Sequence, residues 1–153
     1  MSLPKENPGG TRPCIFYDLG RRPYQQVLAL QHDLVRAKHE HELAADVLLL
    51  VEHEPVFTLG RQGRRDSLLV SEKFLAQHGI SIQHIERGGD ITYHGPGQLV
   101  AYLILDLRRA GLRISSFVTS MEEVMLRTAQ MARVKATRDV QNIGVWVGDR
   151  KLG

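Results

Sequence analysis

The sequence predicts an α+β fold with a mixed sheet. Three observations carry that expectation: strand-like and helix-like segments alternate irregularly, some strands are joined by tight turns, and no nucleotide-binding glycine pattern links a strand to a helix. The pair Gly95 and Gly97 has G-x-G spacing, but Val100 stands at the third position and a strand follows where that pattern needs a helix.

The elements follow in order. Residues 14–19, Cys-Ile-Phe-Tyr-Asp-Leu, read as a short strand broken at residues 20–23. Pro23 suits a helix start, and Tyr24, Val27, Leu28, Gln31, Leu34, Val35 and Lys38 trace one helical stripe. His32, His39 and His41 lie among Glu and Lys and read as surface residues; His39-Glu40-His41 lacks the one-turn spacing of a helical zinc pair. Residues 47–51 are five consecutive apolar positions, a buried strand, and residues 52–55 break it before a second run at 56–60. Arg61, Arg64 and Arg65 sit in a charged loop and could meet an acidic partner, but read as solvated. Ser71 caps a short helix over residues 72–78 that Gly79 ends. Ile80, Ile82 and Ile85 belong to a strand.

Residues 99–107 are apolar on both faces, which predicts a central or covered strand. Ser115 or Ser116 caps a helix carrying Phe117, Val118, Met121, Val124, Met125 and Thr128 at helical spacing, with the methionines as core filler. Residues 132–142 read as a polar connection, 143–147 as a strand, and Gly148-Asp149 as a hairpin turn. Only four residues follow that turn. The pattern therefore predicts an amino-terminal portion of something longer, with a strand at 143–147 that exposes unpaired backbone groups.

Composition bounds the partners. With 153 residues, 42% hydrophobic and 24% charged, the chain reads as one globular domain over residues 14–153, after a flexible tail at residues 1–13. A net charge of +3 with 6% aromatics is too mild for a nucleic-acid surface. No apolar run reaches membrane-helix length, and the first residues do not form a secretory signal. Cys14 alone permits no internal disulfide and suits a reducing compartment, so a cytoplasmic location is expected. No Cys/His set has zinc spacing.

The densest chemistry lies in Arg87-Gly88-Gly89-Asp90-Ile91-Thr92-Tyr93-His94-Gly95-Pro96-Gly97-Gln98. Alternation places Asp90, Thr92 and His94 on one strand face and Ile91 and Tyr93 on the other. Residues 95–98 fit a type II turn, with proline second and glycine third. A glycine pair before a strand also fits an ordinary hairpin, but a hairpin does not need Arg, Asp, Thr, Tyr, His and Gln around it. Such a wall of backbone N–H groups and polar side chains suits a small ligand.

This stretch resembles the signature of the octanoyltransferases of lipoate biosynthesis, members of the biotin/lipoate protein ligase superfamily. Val51-Glu52-His53-Glu54-Pro55-Val56-Phe57-Thr58-Leu59-Gly60 is similar to the family's Glu-His-x-Pro-Val-Tyr-Thr-Leu-Gly segment. Residues 143–153 resemble its Gly-Val-Trp-Val…Lys segment. The three stretches occur in family order across residues 15–153.

The resemblance implies a mixed sheet flanked by helices; no cofactor or metal is expected. It also implies transfer of octanoyl from acyl carrier protein to a lysine on lipoyl domains of 2-oxoacid dehydrogenases and the glycine cleavage H protein. It implies substrate binding by Arg87, Gly88, Gly89, Asp90, Ile91, Thr92, Tyr93 and His94. Lys151 stands where the family's lysine lowers the pKa of a nucleophilic cysteine. That cysteine lies beyond the lysine in the family, and Cys14 does not match it. Two alternatives stay open: a non-catalytic module that binds the acyl group and its carrier, and an ATP-dependent lipoate or biotin ligase, which needs no cysteine.

Overall fold

The computed structural model describes residues 13–64, 67–139 and 142–153. The expected tail, except Pro13, lies outside the described residues, as does Arg65. The chain divides into two compact units, one ending at Leu105 and one beginning at Asp106.

The first unit holds strands β1 (Cys14–Arg22), β2 (Asp46–His53), β3 (Val56–Leu59), β4 (Ser81–His84), β5 (Ile91–His94) and β6 (Leu99–Ile104), with helices α1 (Tyr24–His39) and α2 (Glu72–Gln77). One sheet has the order β1-β2-β6, with β1 parallel and β6 antiparallel to β2. A second has the order β4-β3-β5, with β4 parallel and β5 antiparallel to β3. Both sheets are therefore mixed, as the sequence predicts.

Strand β1 runs past the expected break at residue 20. Gly20 takes φ +59° and its N–H meets Asp18 Oδ1 at 2.9 Å, and the register shifts there before pairing resumes at Arg21. In β2 every second residue is buried: Val47, Leu49, Val51 and His53. Val47, Leu49 and Ile104 form the core cluster, and Leu19, Leu30, Leu34, Leu43 and Tyr102 pack against it. Helix α1 thus uses Tyr24, Val27, Leu30 and Leu34. Val35, placed on the stripe by spacing, is 54% exposed, because it lies a full residue step of rotation past Leu34. Lys38 fastens the far end of α1 to the start of β2, donating to Ala45 O at 2.7 Å and Asp46 Oδ1 at 3.2 Å.

Helix α2 is capped as expected: Ser71 Oγ accepts from Phe74 N, and Gly79 follows at φ +67°. Strand β6 is not central. It pairs with β2 alone among the described residues, and Leu99 and Leu103 stay exposed while Ile104 joins the core. An apolar run on both faces specifies strand character but not which neighbours the strand finds.

The second unit packs helix α3 (Ile114–Met131) with a small antiparallel sheet, β7 (Thr137–Arg138), β8 (Val145–Val147) and β9 (Arg150–Lys151), in the order β7-β8-β9. The N-cap residue is Arg113, so neither Ser115 nor Ser116 takes that position. Ser116 sits in the first turn, where its Oγ accepts from Arg113 N at 3.2 Å and donates to Arg113 O at 2.8 Å. The expectation of an unpaired strand is overturned. Trp146 pairs with Thr137 on one side and Lys151 on the other, and Val145 exchanges backbone bonds with Leu152 and Gly153. The short β7 was hidden in a polar stretch with no alternation to mark it. Gly148 turns the hairpin at φ +61°. No described helix is long and apolar enough to cross a membrane.

Candidate functional site

The connection between β4 and β5 decides the shape of the glycine-rich stretch. Both strands pair with β3 and not with each other, so residues 85–90 cross the end of β3 and are no hairpin. The chain leaving β3 meets this crossover with three successive amides. Gly60 N donates to Asp90 O at 2.8 Å, Arg61 N to Arg87 O at 2.9 Å and Gln62 N to Gly89 O at 3.2 Å. A Cβ on Gly60 would stand 2.4 Å from Gly89 O and 2.6 Å from Arg87 O, so only glycine permits this approach. Gly89 itself takes φ +84°. Arg61, read from sequence as solvated, also binds the crossover, its Nε donating to Glu86 O at 2.8 Å.

Arg87 folds back along its own loop. It donates to Gly88 O and to Thr92 Oγ1, each at 2.8 Å. The Asp90 carboxylate turns toward the loop after β3, accepting from Ser67 Oγ at 2.6 Å and Arg64 N at 3.2 Å. The Ser67 hydroxyl, followed by the Arg64 amide, holds the Asp90 carboxyl below the usual carboxylate range. Asp90 therefore braces the wall. Gly88 faces open space, with no atom within 4 Å of an added Cβ. Tyr93 packs on Phe57, ring centroids 5.1 Å apart, on the face opposite Thr92 and His94.

His94 enters a cluster of rings that spacing alone does not reveal. Its ring stacks on Tyr24 at 6.1 Å and stands edge-on to His53 at 5.8 Å. His53 is fully buried; its Nδ1 lies 3.2 Å from Arg22 O and its Nε2 lies 2.8 Å from Tyr102 Oη. A carbonyl only accepts, so Nδ1 carries the proton and Tyr102 donates to Nε2. Burial pushes His53 below its ordinary value and pushes both Tyr24 and Tyr102 up, so all three are neutral near pH 7. The signal for His53 was present in the sequence: it continues the alternate series Val47, Leu49, Val51, but the Glu-His-Glu-Pro string reads as a break. Below the cluster, the turn at residues 95–98 is as expected, with Gly97 at φ +85° and Gln98 N donating to Gly95 O at 3.1 Å. Glu52 Oε2 accepts Gly97 N at 3.1 Å and pins the turn to β2.

His53 gives the site a pH-sensitive support. Its ordinary value is 6.5; the unfolded chain takes up a proton near there, while the folded chain resists it. Protonation therefore favours unfolding: the stabilisation is complete above about pH 6.5 and is lost as pH falls below it. His53→Phe is expected to destabilise by about 1–3 kcal/mol at neutral pH, since Arg22 O and Tyr102 Oη lose their partner. The gap between wild type and variant in urea titrations should shrink from about pH 8 to about pH 5. Parallel curves would refute it.

Lys151 belongs to the second unit. It is exposed, with Nζ 5.8 Å from the Trp146 ring centroid. Gly144, at φ +124°, lies against it, and a Cβ there would stand 2.5 Å from Lys151 Cε and 2.4 Å from Gly153 O. Gly144 N donates to Glu122 Oε1 at 2.8 Å, and Glu122 also pairs with Arg138 at 3.2 Å. Glycine 144 thus provides the space in which the lysine stem lies. Cys14 is exposed on β1. Among the described residues no group of three or more His, Cys, Asp or Glu side chains could hold a metal ion.

With the crossover, the turn and the lysine in place, the class of protein follows from sequence comparison. Residues 23–153 match the family model described as lipoyl protein ligase A/B catalytic domain, and the chain belongs to that family. The chain is 46% identical over 132 residues to an octanoyltransferase of Desulfotalea psychrophila, covering 86% of this chain and 59% of the relative. It is 41% identical over 136 residues to an octanoyltransferase of Alkaliphilus metalliredigens, covering 88% and 62%. The chain therefore spans about three fifths of the length of these relatives. Among solved structures, it is similar to a lipoate-protein ligase A bound with ATP, with TM-score 0.63, 15% identity, and 92% of this chain and 58% of that one covered. The bipartite lipoate protein ligase of Thermoplasma acidophilum also gives TM-score 0.63, at 16% identity, covering 91% and 52%. At these identities the structures show the fold, which is that of the lipoate-protein ligases.

Proposed function

We propose that this chain is the acyl-donor-binding portion of an octanoyltransferase of lipoate biosynthesis. The enzyme would move octanoyl from acyl carrier protein to a lysine of a lipoyl domain, such as those of 2-oxoacid dehydrogenases and the glycine cleavage H protein, in the cytoplasm. The observation that carries this reading is the 41–46% identity to octanoyltransferases across both units. The crossover at residues 87–90, with Gly88 facing open space, supplies a surface on which a thioester can approach the backbone. Arg87, Gly88, Gly89, Asp90, Ile91, Thr92, Tyr93 and His94 form this wall, with Arg87 and Asp90 as its internal braces. Lys151 is the group that favours a thiolate, since a nearby cation stabilises the charged form of a thiol.

His94→Ala is expected to weaken binding of octanoyl-acyl carrier protein about tenfold, the loss of one good polar contact. Gln77→Ala on the exposed side of α2 should leave it unchanged. Equal losses in the two variants, measured by titration calorimetry, would sink the reading. A ligase reading draws on the ATP-bound structural neighbour; binding of ATP to this chain in the same calorimeter would favour it.

A further inference from the structure

We infer that Gln98 sets the tautomer of His94, so that its Nε2 stays free to accept a hydrogen bond from an S–H or N–H donor. The chemical class of that donor, a thiol or an amine, rests on the proposed acyl transfer; the tautomer does not. The argument begins with the Gln98 amide. One end lies 3.3 Å from Tyr93 O, and only a nitrogen can donate to that carbonyl. The other end is then Oε1, which lies 2.6 Å from His94 Nδ1. Oε1 carries no hydrogen, so Nδ1 must carry it. A neutral imidazole holds one proton, which leaves Nε2 as an acceptor.

The surroundings keep that arrangement in place. Gln98 is anchored through its own N–H to Gly95 O, and the turn that carries it is pinned by Glu52 at Gly97 N. The His94 ring is held by Tyr24 on its face. Its neighbour His53 has no hydrogen to offer, because Nδ1–H is committed to Arg22 O and Nε2 accepts from Tyr102. Among the described residues no protein group is hydrogen-bonded to His94 Nε2. Gln98 is thus a positioning residue that acts through His94.

Long-range proton–nitrogen correlation spectra of the ¹⁵N-labelled protein at alkaline pH read imidazole tautomers without turnover. His94→Gln assigns the His94 signals, and His53, fixed by Arg22 O, is the internal check that each variant is folded. His94 is expected as Nδ1–H in the wild type and in Gln98→Glu, whose carboxylate still accepts from Nδ1. Gln98→Leu should release it to a mixture rich in Nε2–H. An Nε2–H form in the wild type, or an unaltered Nδ1–H form in Gln98→Leu, would overturn the inference. Octanethiol should shift the His94 Nε2 resonance, and methyl octyl sulfide, which has no S–H, should not. Equal shifts from the two probes would overturn the acceptor role. Because these signals are read in the absence of transfer, they stand or fall separately from the octanoyltransferase reading.

Discussion

Residues 1–153 are expected to transfer no octanoyl to a lipoyl domain, with or without ATP, and to gain the activity when joined to the family's carboxy-terminal segment with its cysteine. The proposed route needs a thiolate that attacks the acyl thioester and then yields the acyl group to an amine. Cys14 is a poor candidate. Among the described residues it sits at the start of an edge strand, outside the three matched stretches, with its Sγ 3.9 Å from Ile15 O. Loss of a nucleophile removes on the order of 10⁶ in kcat in a well-studied hydrolase, even where binding survives. Mass spectrometry of a lipoyl domain incubated with octanoyl-acyl carrier protein decides the matter. Octanoylation that disappears in Cys14→Ala would make Cys14 the nucleophile. Octanoylation that persists in Cys14→Ala would show that no thiol is needed and favour the ligase chemistry.

Local chemistry was legible in the sequence wherever one residue type dictates one backbone state. The turn at residues 95–98, the Ser71 cap and the Gly148 hairpin all follow from such dictates. The alternation of Thr92 and His94 against Tyr93 was legible too, since a strand has only two faces. What spacing could not supply was the partner of each element. Strand β6 is as apolar as a central strand, yet it lies at the edge of its sheet, and the short β7 has no pattern of its own. The same limit hid the ring cluster. Tyr24, His53, His94 and Tyr102 come from a helix and three strands, and only the fold brings them together. It also hid the division of labour in the wall: Asp90 reads as a ligand-facing carboxylate, but Ser67 and Arg64 take it as a brace.

Gly60→Ala is expected to be the most damaging single methyl that can be added near the wall. The new Cβ would meet two backbone carbonyls, Gly89 O at 2.4 Å and Arg87 O at 2.6 Å, and neither can rotate away as a side chain can. The crossover must shift, and the hydrogen bonds donated by the amides of residues 60–62 to Asp90 O, Arg87 O and Gly89 O lengthen with it. Overpacking of this kind costs about 1–3 kcal/mol, and the lost hydrogen bonds add to it. Gly88→Ala is the matched control, since its Cβ would enter open space. Its unfolding free energy in urea should lie within about 0.5 kcal/mol of wild type, as for a surface substitution. The two variants then separate stability from binding. Gly60→Ala should lose both. Gly88→Ala should keep its stability and still weaken binding of octanoyl-acyl carrier protein, because the methyl would occupy the place proposed for the approach of the thioester to the backbone. A Gly60→Ala midpoint equal to that of Gly88→Ala would mean that the crossover yields without cost. Unchanged donor binding in Gly88→Ala would mean that the acyl group lies elsewhere on the protein.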